Sequence, residues 1–348
     1  MNDFLLLFKS TSKPEYRQRI LNALAIPSKV SWSTHYNKQY CCDELKRIVF
    51  NENQASTLIG KKGLFLFVDM ESKPSRFFPL RQFEIISSEK IEDNWNVKII
   101  FENYAMYNDF DSFQKLLNGK LKSLPPGGPF AQIVNGQVFN EIVEALSSDT
   151  SFDDVIKEIV DKSDEKCFKN CQINQRTEPA QFFKVEFRPQ KGRINYDKGI
   201  IKFTPGTYCL KLYYFTPEGA PLQIAFHING LPSNQKSLGP RIILPRTKNR
   251  IWNDLTFEVP SEEKLGYIKI EGEDETGKPI IAPRLEMQYS VRIGRLDKLL
   301  KNNKVGLAFF IAGIIILILS ETSNIPLLRT IGVPLQSLGA AIMLGVRK

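Results

Sequence analysis

Histidine is almost missing: His35 and His227 are the only two in 348 residues, beside five cysteines and three tryptophans. A histidine-rich metal or catalytic centre is therefore excluded. The cysteines are an odd set, with Cys41 and Cys42 adjacent and Cys167, Cys171 and Cys209 scattered, which argues against a disulfide framework. Cys167 and Cys171 in CFKNC have no second pair, and structural zinc takes four ligands, usually at tighter spacing. The acidic EGEDETG stretch (Glu271 to Gly277) lacks the alternating oxygen ligands of a calcium loop. Phosphate-loop, dinucleotide, kinase and esterase motifs are also lacking, so neither cofactor nor metal is expected. The opening MNDFLLLFKS has Asp3 where a secretory leader carries a basic residue, and its apolar run is too short, so the expected body begins in the cytosol.

Basic residues and local apolar runs are what the chain does have. The formal net charge is +9 with mean hydropathy −0.23, a balance that favours anionic neighbours. Much of the surplus precedes the C-terminal apolar segments, which makes lipid head groups the expected partner and nucleic acid an unlikely one.

The chain divides by pattern into an α+β N-terminal domain over 1–122, a linker and helical pair over 123–180, an antiparallel β-sandwich middle domain over 181–294, a basic segment over 295–304 and a tail over 305–348. In the first region PEYRQRILNALAIP reads as a helix bounded by prolines. KVSWSTHY, KGLFLFVD, SRFFPLRQFEII and NWNVKIIFEN read as strands, with Pro79 making the third an edge or bulged strand. A curled sheet closed by a helix is the expected unit. Asp109 caps DFDSFQKLLNG, and Ser151 with Asp154 forms a box at the head of the second of two later helices. Beyond 181, about eight short strands recur between Pro/Gly turns, as in a sandwich.

The tail reads as a C-terminal two-helix transmembrane hairpin. Val305 to Leu319 carries no charge, SETSNIP is a short polar turn, and Ile325 to Val346 is a second segment. Spanning takes about 20 apolar residues, with roughly 17 tolerated. Arg292, Arg295, Lys298, Lys301 and Lys304 precede the hairpin as lipid contacts, and Arg347 and Lys348 follow it. The positive-inside rule then places both termini on the cytosolic side of a two-pass cell-membrane protein. Arg329, Gly332, Gln336 and Gly339 share one helix face, a polar stripe suited to helix contact or a pore.

In the body, Lys61, Lys62, Arg76 and Arg81 flank phenylalanine-rich strands with Trp32 and Tyr36 upstream. Cations beside aromatics suit an anionic or nucleotide ligand, and a solvated face over an aromatic core is the plainer alternative. RIILPRTKNR gathers Arg241, Arg246, Lys248 and Arg250 around one loop, where they would meet an anionic leaflet. His35 precedes Cys41 and Cys42, the pair a Cys/His hydrolase would need.

This layout of cytosolic body and small membrane module resembles that of bacterial conflict-system effectors, in which a sensor is fused to a module that breaches the membrane. The resemblance implies a non-enzymatic membrane protein that senses a small molecule or protein trigger and assembles as a homo-oligomer, its hairpin serving as an anchor or as a pore-forming or membrane-disrupting module. The alternatives are a tethered scaffold binding a protein partner through the sandwich and a membrane-anchored Cys/His hydrolase.

Overall fold

The structure, a computed structural model, describes residues 4–10, 12–121, 128–173, 176–215, 224–233, 241–244, 250–274, 279–293, 303–323, 331, 333–338 and 340. The chain forms two compact units, Met1–Pro260 with Lys264–Ser290, and Ser261–Glu263 with Val291–Lys348.

The first unit begins with β1 (Phe4–Ser10), α1 (Pro14–Ala25), β2 (Ser31–Asn37), the short α2 (Asp43–Lys46), a π-helical turn over Arg47–Asn51 and a 3₁₀ turn over Ala55–Leu58. Then come β3 (Lys62–Asp69), β4 (Arg76–Ile91), β5 (Asn94–Tyr104), α3 (Phe110–Lys120), β6 (Phe130–Val134), α4 (Gly136–Glu144) and α5 (Phe152–Lys162). The six strands make one mixed sheet in the order β2-β5-β4-β3-β1-β6, with β1 parallel to β3 and antiparallel to β6. Strand β1 from Leu5 onward and all of β6 are buried, which is why FLLLF and FAQIV show no alternation. Pro79 sits in central β4, where the pairing with β3 shifts register between Phe65 and Leu66. The missing N–H is thus absorbed by a bulge.

The sheet is strongly curled. Three strands separate β1 from β2, yet the Lys9 ammonium nitrogen lies 3.8 Å from the centre of the Tyr36 ring. Just past β2, Cys41 bridges Ala131 of β6, and the Cys42 N–H donates to the Ala131 carbonyl at 2.9 Å, joining the two edges. Gly63 is required by the same close packing, since a β-carbon there would strike the Leu5 carbonyl and the Phe83 ring.

Two helices start as their sequences dictate. The Asp109 side chain accepts from the Ser112 N–H at 2.9 Å. Ser151 and Asp154 cap each other reciprocally at the head of α5. The other end of α1 has neither glycine nor a following donor, because Pro27 comes next. Its last carbonyls are met instead by Arg81, which donates to Ala23 and Ile26, and by the Tyr104 hydroxyl, which donates to Leu24.

The unit continues through α6 (Glu165–Phe168) and the hairpin β7 (Cys171–Ile173) and β8 (Arg176–Glu178). Asp69, wholly buried at the end of β3, binds this segment to the sheet. Its carboxylate accepts from the backbone N–H groups of Glu71, Ser72 and Asp164, the Ser72 hydroxyl and the Cys167 thiol. Burial alone would raise the carboxyl, but the bonds from Ser72, Asp164 and Cys167 together outweigh it and hold the pKa below its ordinary value. Asp69→Ala is expected to cost about 2–4 kcal/mol in urea denaturation at neutral pH, because several donors are left unmet. The sign follows from the depressed pKa. The stabilisation is present above about pH 4 and is lost as pH falls through the folded-state value, so wild type and variant converge in acid.

The remaining strands are β9 (Phe182–Lys191), β10 (Ile194–Asp197), β11 (Ile200–Phe203), β12 (Gly206–Phe215), β13 (Ile224–Asn229), β14 (Arg241–Leu244), β15 (Arg250–Val259), β16 (Lys264–Asp274) and β17 (Pro279–Val291). They form a three-stranded sheet, β15-β12-β9, and a six-stranded sheet, β10-β11-β17-β16-β13-β14. Aromatic contacts join the two, with Phe183 edge-on to Phe226 at 4.6 Å and Phe203 against Phe187 at 5.7 Å and Tyr208 at 5.0 Å. Helix α1 also reaches this half, through Asn22, whose side chain accepts from the Arg284 N–H at 2.7 Å.

The second unit corrects the expected fold class. The C-terminal helix covers Asn303–Ser323, but among the described residues no helix is long and apolar enough to cross a membrane. Lys304 closes one end of its uncharged stretch and Ser320 and Glu321 the other, leaving Val305 to Leu319. At ~1.5 Å per residue this covers roughly 22 Å of a hydrocarbon core of ~30 Å. The two-helix transmembrane hairpin is therefore not supported, and neither is the multi-pass cell-membrane location inferred from it. What stands is a mixed α/β chain of sheets and helices. Within this unit a β-carbon on Gly313 would fall 2.5 Å from the Gln336 backbone nitrogen, so the helix meets the following segment backbone to backbone there.

Candidate functional site

The inside of the curled sheet carries two features of chemical interest. The first is a cavity of about 200 Å³ lined by Leu5, Ile48, Thr57, Leu58, Lys61 and Ile133. Leu5 and Ile133 are cross-strand partners on β1 and β6 and give it an apolar floor. Ile48 comes from the π-helical turn, and Thr57 and Leu58 from the 3₁₀ turn. A π-turn is a local irregularity often found beside sites. Here it swings the 47–58 connector over the floor and leaves the space between. Lys61, half-buried, brings a positive charge to a lining that is otherwise mostly apolar.

The second feature is a group of polar side chains under α1. Lys9, in the same alternation as Leu5 and Leu7, is fully buried and donates to the His35 carbonyl at 3.2 Å. Arg19 of α1 also reaches that carbonyl, at 3.4 Å, and lies within 3.4 Å of both His35 ring nitrogens. Tyr36 is fully buried beneath the Lys9 ammonium, and among the described residues its hydroxyl has no hydrogen-bond partner. Desolvation first, and then Arg19, holds the Lys9 amine well below its ordinary pKa. His35 is lowered in the same order, by burial and by the Arg19 and Lys9 charges. Burial, with Cys42 beside it, pushes the Cys41 thiol up to about 12, leaving almost no thiolate at neutral pH.

The residues singled out as anion ligands are dispersed. Lys61 lines the cavity and Tyr36 belongs to the Lys9 group. Lys62 is exposed at the start of β3, opposite Glu84. Arg76 is exposed and donates to the Lys162 carbonyl at the end of α5. Trp32 packs on Phe65 and Phe101 at 5.4 and 5.5 Å. Arg81 is fully buried, stacked on Tyr104 and Phe101, and its guanidinium is used on the carbonyls of Ala23, Ile26 and Glu102 and the Ser28 hydroxyl. It is a structural fastener.

In the tail, Arg329, Gly332 and Gly339 lie outside the described residues, as do Arg295, Lys298 and Lys301, and Arg246 and Lys248 in the sandwich. Gln336 is half-buried, Arg292 is exposed past β17, and Lys304 falls in the first turn of the C-terminal helix. Cys167 and Cys171 are buried, their thiols turned to the Asp69 carboxylate and the Cys167 carbonyl. No group of three metal-binding side chains occurs among the described residues.

Lys9 and Arg19 escape a pattern-based reading. One lysine closing an apolar strand looks like its solvent end, and Arg19 looks like the wet face of an amphipathic helix. The alternation Leu5, Leu7, Lys9 is the available signal. No protein-family model matches this chain, and no curated protein matches it in sequence.

Proposed function

We propose that the protein is a non-enzymatic ligand-binding protein whose curled-sheet half takes a small amphipathic anion. The cavity of about 200 Å³, with its apolar floor and Lys61 in the lining, carries this reading. A cavity of about 150 Å³ holds benzene, so this one suits an aromatic ring or a chain of roughly six to eight carbons, its acidic group paired with Lys61. The floor supplies affinity by burial, and the ammonium selects an acid over the matching alcohol. The aromatic core, the fastened Arg81 and the protonated Cys41 thiol speak for a rigid receptacle over a reactive centre.

Calorimetric titration with octanoate and benzoate tests this. Saturable binding is expected with Kd in the range of roughly 10 μM to 1 mM for ligands of this size. Lys61→Met is expected to weaken octanoate roughly tenfold while leaving octanol unchanged, and Leu58→Trp to block both. Absence of saturable binding by either acid, or equal binding by Leu58→Trp, would overturn the proposal.

A further inference from the structure

We infer a separate site for a small oxyanion at Lys9, Arg19 and Tyr36, beneath α1 and independent of the cavity. Three observations converge on it. The Lys9 ammonium and the Arg19 guanidinium reach the same acceptor, the His35 carbonyl, at 3.2 and 3.4 Å. Among the described residues, the hydrogen bonds and ring contacts of Lys9 and Arg19 go to His35, Thr34 and Tyr36, and none goes to a carboxylate. The Tyr36 ring is wholly buried with its face 3.8 Å from the Lys9 ammonium, and among the described residues its hydroxyl has nothing to donate to.

A backbone carbonyl carries only part of a charge and does not neutralise two cations, and a buried hydroxyl left unmet is costly. One oxyanion answers all three needs. It gives Lys9 a counter-ion, offers Arg19 two oxygens for its fork, and accepts from Tyr36. Lys9 and Tyr36 form the closed end, while Arg19 is half-buried and His35 exposed, so the anion enters past those two. The ligand class is thus a phosphate or carboxylate group, free or carried on a molecule that remains largely outside.

An anion beside Lys9 favours its charged form over the neutral amine, so binding is coupled to proton uptake. The facing groups are Arg19 from α1, His35 and Tyr36 from β2, and Cys41 just beyond it, and of these Lys9 and His35 have their pKa lowered, first by burial and then by Arg19. Affinity therefore falls as pH rises, a response that a purely structural lysine would not produce.

The test uses the full chain at fixed ionic strength, with inorganic phosphate, acetate and chloride as probes, read by melting temperature and by ³¹P line width for phosphate. Saturable stabilisation by phosphate or acetate below about 10 mM is expected, and which of the two binds tighter identifies the group preferred. Lys9→Met and Arg19→Gln should each weaken binding roughly tenfold or more, and Tyr36→Phe about threefold or more. Leu58→Trp, which fills the cavity, should leave phosphate binding unchanged. If Lys9→Met does not fold, the half-buried Arg19→Gln carries the test. A wild type without saturable response, an equal response to chloride, or undiminished binding in Arg19→Gln and Tyr36→Phe would overturn the proposal.

Discussion

Replacing Arg81 by Met should lower stability by roughly 3–5 kcal/mol, the range for removing a buried, hydrogen-bonded charge. For a chain of this size that is a fall in Tm on the order of 10 °C. The guanidinium donates to Ile26 and Glu102 carbonyls at 2.6 Å each, to the Ser28 hydroxyl at 2.7 Å and to the Ala23 carbonyl at 3.3 Å. Among the described residues no carboxylate shares these bonds. The negative end of α1 is the counter-charge, and burial accordingly pulls the Arg81 pKa below its ordinary value. Met fills the space of the stem but leaves the carbonyls of Ala23 and Ile26 without donors, and the last turn of α1 should fray. Arg81→Lys should recover less than half of the loss, because one ammonium does not span bonds spread over two nitrogens. Urea denaturation, followed by hydrogen exchange at Leu24 and Ala25, checks both statements. A loss under about 1 kcal/mol would mean that the turn is held by other contacts.

The same substitution at Lys9 should act in the opposite direction. In buffer free of phosphate and carboxylates, Lys9→Met is expected to stabilise the fold at neutral pH by on the order of 1–4 kcal/mol, since an apolar side chain of similar length replaces a buried amine that has only the His35 carbonyl and the Tyr36 ring face as partners. The pH profile gives the sharper signature. The folded-state pKa lies below the ordinary 10.5, chiefly through burial. Between the folded-state value and 10.5 the unfolded chain holds a proton that the folded chain lacks. Wild-type stability therefore rises with pH across that window, and Lys9→Met should flatten the rise. Parallel profiles for the two proteins would show that Lys9 is charged in the free state. Arg81 and Lys9 are both fully buried basic side chains, and what separates them is partners: four acceptors around one, and for the other a carbonyl shared with Arg19 and the face of the Tyr36 ring.

Local signals along the chain were the legible ones. Asp109, Ser151 and Asp154 stand as caps because capping is written in three or four neighbouring residues. Pro79 announces an interruption, although only the sheet order tells a bulge in a central strand from an edge. What stayed hidden depends on distant parts of the chain. Strands β1 and β6 are short apolar runs buried by partners far away in sequence, and periodicity is silent when both faces are covered. Arg81 reads as a ligand among aromatics because its acceptors, at the end of a helix more than fifty residues earlier and on the next strand, are brought together only by the fold. The cavity was legible only through Lys61, since its floor pairs Leu5 with Ile133. The tail misled because hydropathy reports how apolar a run is, while crossing a bilayer also demands length.

The position of β1 sets an order on synthesis. This first strand lies between β3 and β6, so its second neighbour, Phe130–Val134, leaves the ribosome more than a hundred residues after it. Until then the apolar FLLLF segment has one flank uncovered, and α1 lacks the surface bearing Arg284. The emerging chain thus offers a greasy N-terminal ribbon to any chaperone waiting at the exit tunnel. A stalled chain ending near residue 120 should be held by such a chaperone, and one ending after β17 should be released.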